Sequence, residues 1–229
     1  MMSLAHFTRS GRTAMKSKTA DSLNYRTLFS KSNEIYDAAS RRKACKTYHS
    51  LWTTKSGQYH RFSEILHFID NMDCSILDIG CGNGRLVEFL NYNGFTGKYT
   101  GVDINSNLLK EARHDFPGQE FVNADFFKKR IPLHDYVVMS GTLNANFGQD
   151  MDFVFNFIRR MHELSRKKSV FNAITEYVNF KEKEMYYINP AALIEYTVRN
   201  LSPKFEIRHS FVPYNFTMCI HKNIKWIPF

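Results

Sequence analysis

The chain has 229 residues, 43 % hydrophobic and 15 % aromatic against 23 % charged; this balance excludes global disorder and allows one substantial core. No run approaches the roughly 20 apolar residues of a membrane-spanning helix. The net charge of +9 is concentrated at one end: residues 1–50 hold ten Lys or Arg and three acids, the other 179 residues 21 bases and 19 acids.

A basic N-terminal arm reads first as a solvated terminus. Alternatively it touches phosphate or an acidic membrane surface, or, having no acid in its first twenty residues, serves as an organellar targeting segment. Residues 1–33 lack periodic hydrophobicity and are expected to be loose. Ile35, Ala39, Ala44, Tyr48 and Leu51 recur at helical spacing and predict a helix from Ile35 to Trp52. After a break at 53–57, Phe62, Ile65, Leu66 and Ile69 define a second helical face. The rhythm then changes. Ser75–Ile79 is a short apolar run ended by glycines, a buried strand, and the helix beginning near Leu86 follows it. Strand-like segments recur at 99–103, 120–124, 135–140 and 170–174, separated by helical patterns at 106–116, around 153–164, and at 190–201. Phe205–Phe211 and Phe216–His221 flank a Pro-Tyr-Asn turn and predict a terminal antiparallel pair. Alternation of this kind specifies a doubly wound α/β fold, with a parallel sheet covered by helices on both faces. In such sheets ligands bind beyond the carboxyl ends of the strands, so polar residues closing strands are site candidates.

The strongest candidate is Asp78-Ile79-Gly80-Cys81-Gly82-Asn83-Gly84, between a strand and a helix. A dinucleotide fingerprint would need a small residue at 85, where Arg85 stands, and Asp78 repels a diphosphate. The loop suits a ligand bearing positive charge, an ammonium or a sulfonium. Asp103 closes the second strand, where a carboxylate accepts from ribose hydroxyls. Asp125 closes the third and is placed to accept from an adenine amine, with Phe126 or Ile104 against the ring. Ser140-Gly141 closes the fourth, where backbone approaches a ligand closely. Four cysteines at 45, 74, 81 and 219 form no C-x-x-C and give neither a disulfide framework nor a metal site; they fit a reducing, cytoplasmic setting.

With the Asp78–Gly84 loop, Gly101-Val102-Asp103-Ile104-Asn105 and Asn123-Ala124-Asp125-Phe126 in order, the chain resembles a class I S-adenosylmethionine-dependent methyltransferase over residues 50–222. It is similar to a small group carrying segments seen here as Gly57-Gln58-Tyr59-His60-Arg61-Phe62, Ser140-Gly141-Thr142-Leu143-Asn144, Tyr186-Tyr187-Ile188-Asn189-Pro190 and Pro213-Tyr214-Asn215-Phe216-Thr217. The resemblance implies a Rossmann-like seven-stranded sheet, mostly parallel with an antiparallel last strand, and S-adenosyl-L-methionine as cofactor. It divides the chain into a basic arm with a helix (1–49), the cofactor-binding methyltransferase domain (50–222) and a tail (223–229). Under it Asp78 faces the methionine amino group, and Gly80, Cys81, Gly82, Asn83 and Gly84 form the turn beside the ligand. Arg61, with Gln58 beside it, is then the candidate for the methionine carboxylate.

The expected activity is methyl transfer to an oxygen or nitrogen of a small molecule. An RNA- or protein-directed enzyme using the basic arm, a silent cofactor-binding scaffold and transfer of another sulfonium group such as aminopropyl are the alternatives. The absence of Asn/Asp-Pro-Pro-Tyr after the fourth strand argues against a nucleic-acid base as acceptor. No catalytic residue is assigned; Asn144, Asn172, Glu176 and His209 are acceptor-side candidates, and the aromatic stretch 176–187 reads as either a lid or packing.

Overall fold

The computed structural model describes residues 25–41 and 54–222. Helix α1 (Arg26–Ser40) precedes α2 (Lys55–Leu66), β1 (Ser75–Ile79), α3 (Arg85–Tyr92), β2 (Lys98–Asp103), α4 (Ser106–Asp115) and β3 (Glu120–Asn123). Then come β4 (His134–Ser140), α5 (Met151–Leu164), β5 (Ser165–Ile174), α6 (Pro190–Asn200), β6 (Phe205–His209) and β7 (Asn215–His221). The seven strands form one sheet in the order β3-β2-β1-β4-β5-β7-β6, all neighbours parallel until β7, which runs antiparallel to both β5 and β6.

The inner strands are buried on both faces, while the edge strands β3 and β6 are largely open, and period-2 alternation sorts the side chains into two cores. Leu77, Val137, Met139, Phe216 and Met218 pack with Phe153, Phe157 and Leu193 of α5 and α6. Ile76, Tyr136, Val138 and Cys219 pack with Phe62, Ile65, Leu86 and Leu109 of α2, α3 and α4. The chain winds outward from β1 to β3 and then returns to β4 beside β1. The carboxyl ends of β1 and β4 therefore flank the topological switch point, where such sheets open a crevice.

Two expectations near the N-terminus are corrected. The helix placed at 35–52 begins at Arg26, so 26–33 are helical rather than loose, while residues 42–53 lie outside those described. The break at 53–57 is in fact a cap: the Thr54 hydroxyl accepts from the Gly57 N–H at 3.0 Å and starts α2 at Lys55. Helix α1 does not stand apart from the domain. Asn105 Nδ2 and Asn107 Nδ2 both donate to Asp37 Oδ1 at 2.9 Å, and the Tyr25 ring packs edge-on against Phe153. The tail at 223–229 lies outside the described residues. Among the described residues, no helix is long and apolar enough to cross a membrane.

Candidate active site

The main cleft lies at the switch point. Its floor is the turn after β1, whose three glycines all have positive φ: +72° at Gly80, +54° at Gly82 and +80° at Gly84. At Gly80 the requirement is also steric, since a Cβ there would stand 2.2 Å from Thr142 Oγ1. The turn is held to β2, with the Gly80 and Cys81 N–H groups both donating to the Val102 carbonyl, at 2.7 and 3.2 Å. Asp78, Gly80, Cys81, Gly82 and Asn83 line the cleft from β1; Asp103 and Ile104 line it from β2, and Ser140, Gly141 and Thr142 from β4. Phe126 faces it from the loop after β3, and Gln58 from α2.

Two carboxylates define its electrostatics. Asp103 Oδ2 accepts from the Gly82 N–H and Oδ1 from the Asn105 N–H, each at 2.8 Å, so the side chain is fixed at the strand tip. Burial raises its pKa, against the opposing pull of these backbone bonds. Asp78 is only 3 % exposed. Burial pushes its pKa up to about 7 although Tyr99 donates to Oδ2 at 2.7 Å, and the Asp103 charge adds to the rise. The β1–β2 register brings Tyr99 to this carboxyl from the neighbouring strand. Such a site attracts a cation, which would repay the desolvation of both acids. The Gln58 side chain is 2 % exposed, and its Oε1 has no hydrogen-bond partner among the described residues. An orphaned acceptor at a cleft wall fits a ligand that carries donors.

Three expected site residues do not reach the cleft. Arg61 turns away: Nε donates to Asn215 Oδ1 and Nη1 to the Gly57 carbonyl, both at 3.0 Å, and burial lowers its pKa. Asp125 follows β3 as expected, but its Oδ1 accepts from the Phe127 N–H at 3.0 Å and caps the local turn. Gly84 serves as the N-cap of α3, against the Phe116 ring, rather than as cleft lining. The segment 176–187 packs rather than covers: Tyr186 N–H donates to the Asn144 carbonyl and Asn146 N–H to that of Glu184, and none of these residues lines the cleft. Of the acceptor-side candidates, Asn172 bridges Ser140 Oγ and the Arg61 carbonyl, each at 3.1 Å, while His209 Nε2 meets Thr175 Oγ1 at 3.0 Å.

The cover comes from an element that the sequence left outside the domain. Phe29, Ser32, Asn33 and Tyr36 of α1 all line the cleft. Burial and the Asp103 charge raise the Tyr36 pKa. The i, i+3, i+4, i+7 spacing of these four residues is the one available signal, obscured because two of them are polar. Among the described residues, Glu206, Cys219 and His221 are the one group close enough to share a metal ion. They lie on β6 and β7, outside the cleft lining, and His221 already pairs with Glu206 at 2.8 Å.

A family profile described as "Methyltransferase domain" matches residues 70–206. The chain is 31 % identical over 156 residues to Rv1506c of Mycobacterium tuberculosis, a protein named as a methyltransferase; the match spans 65 % of this chain and 93 % of that one. It is 34 % identical over 89 residues to trans-aconitate 2-methyltransferase of Rhodopseudomonas palustris, covering 39 % of this chain and 32 % of that protein. The fold matches that of magnesium protoporphyrin IX methyltransferase (ChlM) from Synechocystis PCC 6803, solved with bound S-adenosylmethionine. There the TM-score is 0.63 at 16 % identity, over 88 % of this chain and 98 % of that one. With the seven-stranded sheet, the glycine turn at its switch point and the matched profile, the chain belongs to the methyltransferase-domain family of class I S-adenosylmethionine-dependent enzymes.

Proposed function

We propose that this enzyme methylates an oxygen or nitrogen of a small-molecule acceptor, with S-adenosylmethionine held in the cleft at the ends of β1, β2 and β4. The observation that carries this reading is the pairing of the Gly80–Gly82 turn with two desolvated carboxylates, Asp78 and Asp103. When bound, the cofactor supplies an electrophilic sulfonium methyl. Asp103 then accepts from ribose hydroxyls with the lone pairs left by its two backbone bonds. Asp78 offsets the positive charge of the amino-acid tail, and Gly80 and Gly82 let backbone approach the ligand. Phe126 and Ile104 flank the adenine, and Gln58 presents an amide to the tail. Arg61 and Asp125 are left out of this assignment because neither lines the cleft; Arg61 is bonded to Gly57 and Asn215, and one oxygen of Asp125 caps a local turn.

Displacement on an activated methyl asks the protein mainly for alignment and exclusion of water. The cover given by α1, with Phe29 and Tyr36 in the cleft wall, supports the second role. Calorimetric titration with S-adenosylhomocysteine tests the cofactor assignment. Formation of S-adenosylhomocysteine over a panel of small acceptors and RNA tests the acceptor class. Turnover confined to RNA, or no binding of the cofactor product, would sink the proposal.

A further inference from the structure

We propose that Glu206, Cys219 and His221 form a binding site for a divalent transition-metal ion of the zinc type, at the β6–β7 edge of the sheet and apart from the cleft. Strand register builds it. Glu206 on β6 stands directly across from Cys219 on β7, and His221 follows two residues on, so all three lie on one face of the sheet. One donor atom of each lies within 4.8 Å of the other two, and His221 Nε2 stands 2.8 Å from Glu206 Oε1. Tetrahedral zinc, with bonds of about 2.0–2.3 Å, sets its donor atoms about 3.3–3.6 Å apart, so small side-chain rotations suffice to seat it.

The donors are specific in kind. Thiolate, imidazole and carboxylate together suit zinc or cobalt, whereas calcium and magnesium take oxygen ligands. The charges also close: a thiolate and a carboxylate neutralise a divalent ion, and the thiol proton leaves to solvent on binding. The neighbouring Lys168 ammonium is offset by Asp70, which binds it at 2.8 Å, and it donates to the Phe68 carbonyl at 3.1 Å. The His221–Glu206 hydrogen bond explains two of the three side chains. The ion gives a role to the third as well, Cys219, which closes the triangle from the core under α2.

Access and purpose follow from burial. Cys219 is fully buried, the His221 side chain is 12 % exposed and that of Glu206 54 %. An ion therefore enters from the Glu206 side, with the thiol as the base of the site. Three protein donors leave a fourth position for water. Strand β6 is the outermost on its side and joins the sheet through β7 alone. A metal bridge from Glu206 to Cys219 and His221 ties this open edge down. Cysteine spacing along the chain is blind to such a set, because antiparallel register rather than a C-x-x-C brings the donors together.

Titration of the full chain, stripped with EDTA, with cobalt(II) tests the site through the thiolate-to-cobalt charge-transfer absorption, and displacement by zinc(II) gives the zinc affinity. The expected result is an absorption that saturates at one cobalt per chain, is lost in Cys219→Ala, and yields a zinc Kd tighter than about 10 µM. Glu206→Gln alters a half-exposed side chain and so keeps the fold. It is expected to weaken zinc binding by about tenfold or more and to shrink the rise in Tm that zinc gives the wild type. Absence of the absorption, its survival in Cys219→Ala, a weaker zinc Kd, or unchanged affinity in Glu206→Gln each overturns the proposal. S-adenosylhomocysteine binding is expected to be the same with and without zinc; competition between the two would place the ion in the cleft and overturn the proposal too.

Discussion

Asp78→Asn isolates the electrostatics of the site. The wild-type carboxyl, buried and accepting from Tyr99 at 2.7 Å, titrates at about 7 in the folded protein, against about 3.9 in an unfolded chain. The folded state thus keeps a proton that the unfolded chain releases. The corresponding stability is fully present below about pH 4 and is lost as pH rises through 7, about 4 kcal/mol in all. Between pH 5 and pH 8 the loss amounts to about 2.5 kcal/mol. Asparagine is close in shape, keeps an oxygen to accept from Tyr99, and does not titrate. Urea unfolding of the ligand-free wild type and variant at both pH values measures the difference. The variant is expected to gain about 2.5 kcal/mol on the wild type between pH 5 and pH 8. Groups elsewhere titrate alike in both proteins and cancel. Cofactor affinity provides the second arm: in the wild type it strengthens as pH rises through 7, because the ionised form of Asp78 attracts the cationic ligand, and in the variant this dependence disappears. Parallel stability profiles in the two proteins would refute the reasoning.

Asp103→Ala is expected to weaken S-adenosylhomocysteine binding by about 1.5–3 kcal/mol, the value of hydrogen bonds to a charged acceptor, as read by calorimetry. Gly97→Ala places a Cβ 1.9 Å from the Cys74 carbonyl oxygen; because backbone rather than a mobile side chain must yield, urea unfolding should show a loss of about 2–3 kcal/mol. Deleting residues 1–24 is expected to leave kcat/KM for a small acceptor unchanged. Deleting residues 1–41 removes Phe29, Ser32, Asn33 and Tyr36 from the cleft wall and is expected to abolish cofactor binding. A loss on the shorter deletion would instead favour an acceptor held by the basic arm.

Much of this architecture is legible along the chain. The run at 75–79 is a strand because five residues ended by a glycine turn are too few for a buried helix, and its observed limits are the same. Asp103 stands out in the sequence as the polar residue that ends a strand, and it lines the cleft. Arg61 and Asp125 show where this reasoning stops. Both have the right chemistry at the right element, yet Asn215, 154 residues away, captures the guanidinium, and the Phe127 N–H two residues on captures the carboxylate. Local competition of the second kind is a habit of aspartate in turns; the first kind depends on which strand lies next to α2. Helix α1 escaped for another reason. Its apolar residues are few, and its seat is made by Asn105, Asn107, Phe127 and Phe153, none of which is near it in sequence.

The order of strands and helices, the glycine turn and the acids at strand ends were determined by the sequence alone, because they depend on side-chain periodicity and on torsions open to one or two residues. Tertiary structure decided which of those acids lose their water, which cation is already engaged, and which helix roofs the cleft. These are consequences of packing between distant segments, and desolvation and pairing have no counterpart in the order of neighbours along a chain.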